Sequence, residues 1–142
     1  MVLESRANVR TMSDPVELSI PIQSDLIVLA RLTAATVATR AGFNVEEVED
    51  LRLAVDELCV SIVNGTGAGR LNLTFQGGDG SVEVICVLDG PSEAPVVTHE
   101  GFGEHDLSIR IIDALVDEHG EDIDDGQRRV WLRKRSLRHT ES

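Results

Sequence analysis

Glu57, Ser61 and Asn64 follow one another at single-turn intervals in the segment DLRLAVDELCVSIVN, residues 50–64. A carboxylate is a side chain that can take a proton, and polar groups one and two turns further on would line a cleft beside it. With Ala54 they form a stripe stepped by three and four residues. Leu51, Val55, Leu58 and Ile62 form a second, apolar stripe with the same steps. At 100° per residue the two stripes lie roughly a quarter-turn apart, so the polar one runs along the edge of the buried face. Spacing alone fits a solvated flank better than a cleft.

The other reactive side chains are isolated. Cys59 falls in the same helix and Cys86 in an apolar strand, each without a second Cys or His at ligand spacing. They read as buried thiols rather than a disulfide, zinc site or nucleophile. His99, His105, His119 and His139 fall in loops, at helix ends or in the tail and receive no catalytic role. The acidic run of Glu118, Glu121, Asp122, Asp124 and Asp125 lacks the spacing of a calcium loop and reads as a solvated turn.

Positioning these residues requires a small, aliphatic fold. The 142 residues suit one domain with one core. Hydrophobic residues make up 42%, but with no Tyr, three Phe and one Trp the core must come from Leu, Ile, Val and Ala. No apolar run approaches the roughly 20 residues that cross a bilayer, and the N-terminus is too polar for a secretory signal. The expected setting is cytoplasmic, with no membrane partner. A formal charge of −12 argues against nucleic-acid binding. The one basic cluster, RRVWLRKRSLR at 128–138, reads as an edge strand guarded by charge.

Periodicity orders the chain as β-α-α-β-β-α-β. Residues 1–14 read as a disordered leader, with Met12 as a possible true start. A domain spans 15–135 and a basic tail 136–142. The first strand carries Val16, Leu18, Ile20 and Ile22. A helix capped by Ser24 runs to Ala41 and ends at Gly42. Asn44 with Glu47 makes a capping-box start for the long helix, and GTGAG at 65–69 ends it. Leu71, Leu73 and Phe75 pair through GGDG with the strand at 82–88. A third helix takes 107–119, with Ile111, Ile112, Leu115 and Val116 inward, and the acidic turn GEDIDDGQ leads to the last strand. The fold class is α/β, a two-layer sandwich with helices on one face of a mostly antiparallel sheet.

This chain resembles the bacterial anti-sigma factor and serine-protein kinase branch of the GHKL superfamily, whose Bergerat-type fold is the histidine kinase-like ATPase domain. LRLAVDEL at 51–58, IRIIDALVDE at 109–118 and LARLT at 29–33 carry the resemblance, in order and at matching spacing. It implies Glu57 as general base on water or on a partner's serine, Ser61 at the position of the magnesium-binding Asn, and Asn64 one turn beyond. It also implies Asp89 as acceptor from the adenine amino group.

Three nucleotide features depart from the family pattern. Ser61 is a shorter and weaker metal ligand than Asn. The glycines after Asp89 are displaced, giving Gly90-Pro91-Ser92-Glu93, with Glu93 adding negative charge. The lid glycines before the third helix become Asp106-Leu107-Ser108, with Gly101 and Gly103 upstream. Asp106 there would repel a triphosphate.

The resemblance therefore implies an anti-sigma-type regulator with degenerate ATP and Mg²⁺ sites. It would bind a sigma factor or a STAS-type anti-anti-sigma partner through Arg31, with Ile27 and Val28 adding apolar contact, and would form a homodimer through the first strand and helix. An active serine kinase using Glu57 is the alternative, and a purely dimerising module is a third.

Overall fold

The computed structural model describes residues 14–63, 69–90 and 104–137. In chain order its elements are β1 (Val16–Pro21), α1 (Ile27–Arg40), α2 (Val45–Val63), β2 (Arg70–Gly78), β3 (Ser81–Asp89), α3 (Glu104–Leu115), β4 (Glu118–Asp124) and β5 (Gln127–Arg135). The sheet is antiparallel throughout and ordered β1-β2-β3-β5-β4. Alternation buries one face of its inner strands: Leu71, Leu73 and Phe75 on β2, Val82, Val84, Cys86 and Leu88 on β3, Val130 and Leu132 on β5. Against that face pack Ala30, Ala34, Val37 and Ala38 of α1, the apolar stripe of α2, and Ile112 of α3. This is the two-layer α/β sandwich with an aliphatic core that the composition requires.

Local signals explain the helix ends. Gly42, at φ +92°, lets the chain leave α1; Gly42 N–H donates to Thr39 O and Phe43 N–H to Ala38 O, closing a Schellman-type end. Asn44 Oδ1 accepts from Glu47 N–H, and Asn44 N–H donates to Glu47 Oε1, both at 2.8 Å, completing the capping box. The start of α1 differs from expectation. Residues 24–26 are turns, and the helix begins at Ile27 after Leu26 with no side-chain cap, so Ser24 is not its cap.

The acidic turn is a strand. Residues 118–124 form β4 and pair along their whole length with β5, so α3 stops at Leu115 and His119 lies in a strand. Asp125 at φ 58° and Gly126 at φ +79° make the two-residue turn between them. Consequently β5 is an inner strand flanked by β3 and β4, and the edge is the acidic β4. The basic residues of β5 are held by this arrangement. Arg129 forks onto Asp122 at 2.9 Å twice, Arg133 bonds Glu83 and Glu118, and Arg128 reaches Glu121 at 2.8 Å. From the helix-facing side, Arg128 also donates to Ile62 O near the end of α2, and Lys134 to Leu115 O at the end of α3.

Candidate functional site

Two helix pairs hold the helical residues that the sequence singles out. In the first, α3 lies along α2 and covers the stripe of Ala54, Glu57 and Ser61. Ala54 and Ser61 are fully buried and Glu57 is half-buried, so this stripe is a helix–helix seam rather than a solvated flank. Ser108 of α3, only 2% exposed, donates its hydroxyl to Glu57 Oε1 at 2.8 Å. The Ser61 hydroxyl donates to Leu58 O, three residues back in its own helix, at 2.8 Å.

Cys59 and Cys86 are buried free thiols from α2 and β3. Their mutual hydrogen bond, and then burial, push the Cys86 thiol well above its usual range, which leaves it protonated and unreactive.

Asp89 stands apart. It ends β3, is exposed, and accepts from Gln127 Nε2 at 3.4 Å. Alternation from inward-facing Leu88 puts Asp89 on the other side of the strand. Asn64, Pro91, Ser92, Glu93, Gly101 and Gly103 lie outside the described residues. The seam therefore brings together Glu57 and Ser61 and adds Ser108, without Asp89.

A magnesium ion needs oxygen ligands turned towards the cleft. Here Ser61 is enclosed and its proton is directed to a backbone carbonyl, and no group of three or more His, Cys, Asp or Glu is gathered among the described residues. As placed, the Ser61 hydroxyl is not turned towards an open cleft.

The second pair is α1 with α2. Arg31 of α1 faces Asp56 of α2, Nε to Oδ1 at 3.6 Å, too long for a hydrogen bond. That Nε is shielded from solvent and has no hydrogen-bond partner. Around it opens a groove lined by Glu49, Asp50, Arg52, Leu53 and Asp56. Ile27 packs partly against the core, and Val28 is half-buried. Other large apolar residues of these helices are more exposed: Leu29 at 39%, Leu32 at 53% and, lining the groove, Leu53 at 46%. Leu29 and Leu32 flank Arg31 in sequence, so a one-turn spacing on the polar side of α1 was their only signal.

Comparison with known proteins agrees with this architecture. Residues 20–134 match the family model described as the histidine kinase-like ATPase domain. The chain is similar to the "Serine-protein kinase RsbW" of Bacillus velezensis, 28% identical over 124 residues, covering 76% of this chain and 78% of that protein. The protein of the same name from Bacillus subtilis is 28% identical over 122 residues, covering 75% and 76%. That from Oceanobacillus iheyensis is 29% identical over 124 residues, covering 74% and 77%.

Proposed function

The chain belongs to the histidine kinase-like ATPase domain family, and from that premise we propose that it is an anti-sigma-type regulator of transcription. It binds a sigma factor, or a STAS-type anti-anti-sigma partner, through the outer face of α1 and α2. The observation that carries this reading is Arg31. Its Nε is desolvated but unbonded, above a groove beside exposed apolar side chains. A shielded donor without an acceptor is one that a partner's carboxylate can meet, and an arginine with flanking apolar side chains is what binding hot spots use.

In this reading nucleotide chemistry is weak or lost. Glu57 and Ser61 both make hydrogen bonds inside the protein, and the lid position carries Asp106. The homodimer belongs to the same proposal, through α1 and the sheet edge β1. So does a cytoplasmic setting, in keeping with the absence, among the described residues, of any helix long and apolar enough to cross a membrane.

An active serine kinase is the second reading. It is favoured by Glu57 at the family's base position and by relatives that carry the name serine-protein kinase. Calorimetric titration with Mg-ATP and Mg-ADP separates the two. Absence of heat at millimolar nucleotide supports the regulator, whereas micromolar binding followed by phosphate transfer to a STAS-domain protein establishes the kinase. Loss of sigma and STAS capture by Arg31→Glu tests the docking face; undiminished capture would remove it.

A further inference from the structure

The contact between Ser108 and Glu57 joins residues 51 positions apart and has the geometry of a serine hydroxyl presented to a base. A general base must come within about 2.6–3.2 Å of the proton that it removes, and Ser108 Oγ stands 2.8 Å from Glu57 Oε1. Ser108 is 2% exposed, so its hydroxyl is shielded from water, while Glu57 is half-buried. α3 is also held independently of it: Lys134 ties its end, and Ile112 anchors it in the core.

We propose that Ser108 is an internal occupant of the hydroxyl-acceptor position at Glu57, and that this bond latches α3 shut over the carboxylate. The inference rests on the reading of Glu57 as the base of the site. While the latch is closed, neither water nor a partner's serine reaches the carboxylate oxygen that Ser108 holds. Opening breaks that bond, by rotation of either side chain or by movement of α3 away from α2. A charge-assisted hydrogen bond is the strongest that a serine makes, yet it is one bond, so a docking partner can displace it.

The test uses the full chain and needs no nucleotide. Amide hydrogen exchange is followed along residues 109–115, while a water-soluble carbodiimide with an amine nucleophile labels carboxylates, Asp113 serving as the exposed reference. Ser108→Ala is expected to speed exchange in α3 roughly tenfold, the scale of one lost bond to a charged group. Labelling of Glu57 relative to Asp113 should rise by a similar factor. Ser108→Thr, which keeps the hydroxyl, should restore both. In the Ser108→Ala, Glu57→Ala double variant exchange should be no faster than in either single variant, because all three lack the same bond.

Unchanged exchange and labelling in Ser108→Ala would overturn the latch, as would effects of the two single changes that multiply. A latch that opens as expected, in a chain where no variant transfers phosphate to a STAS-domain protein, would leave the latch standing and remove the kinase reading alone.

Discussion

The two helix pairs treat their polar groups in opposite ways. Between α2 and α3, Glu57, Ser61 and Ser108 are covered, and their oxygens are hydrogen-bonded within the protein. Between α1 and α2, Arg31 Nε is shielded from solvent without a hydrogen-bond acceptor, 3.6 Å from Asp56 beside an open groove. A buried donor left unbonded costs on the order of 1–3 kcal/mol. The first region has minimised that cost internally, whereas the second retains it at a surface where a partner can remove it. In the proposed reading the carboxylate face is closed and the docking face is open.

A buried carboxylate outside both pairs gives the largest break in this contrast. Glu47 is 5% exposed and accepts from the backbone of Asn44 and Leu137 and from the Ser136 hydroxyl. Burial pushes its carboxyl up, but those bonds and the nearby Lys134 charge outweigh burial and hold it below the usual value. Glu47→Ala should cost about 3 kcal/mol in urea unfolding, because three donors lose their acceptor.

The sign of the pH effect follows from the lowered value. The stabilisation is present above the ordinary glutamate range and is lost as pH falls through the lower folded value. Glu47→Gln should flatten that acid limb in unfolding curves compared between about pH 7 and about pH 3. An acid limb as steep as in the wild type would show that Glu47 is not its source.

Arg31→Glu comes next and acts on recognition alone. Partner affinity should fall roughly thirtyfold or more, as for a hot-spot charge at an interface core. The melting temperature should stay within a few degrees, since the existing Asp56 pair is long. A collapse in stability would place Arg31 on the structural side of the contrast.

Ser61→Asn restores the residue type that the family resemblance expects. At a fully buried position the extra volume should cost about 1–2 kcal/mol by overpacking the seam. A neutral result, with Mg-ATP binding gained, would show that the seam has room for the family's ligand. Asp56→Ala should have the smallest effect, under about 1 kcal/mol in unfolding because the pair is partly exposed. It should leave partner affinity equal or slightly improved.

Where the sequence could be read, the signals were short-range. Asn44 and Glu47 are three residues apart, and the capping box is found as their spacing predicts. Alternation identified the inward positions of β2, β3 and β5. The missed strand β4 has polar His119 and Glu121 at two of its three positions on one side, with Ile123 exposed, so no apolar alternation announces it. Asp125-Gly126 was the available clue, a turn dipeptide of the hairpin class. Reading β5 as an edge followed from missing β4, which supplies the acidic partners of Arg128 and Arg129.

The sequence by itself determined the three helices and four of the five strands, the aliphatic core, and the placing of Glu57 and Arg31 on helices. Each depends on periodicity within a few residues, where the backbone geometry is already known. Only the tertiary structure decided that β4 is the edge, that Glu57 faces α3 rather than water, and that Ser108 rests on its carboxylate. Those outcomes depend on the packing of elements distant in the chain, and a shift of one register position or a fraction of a helical turn would reverse each of them.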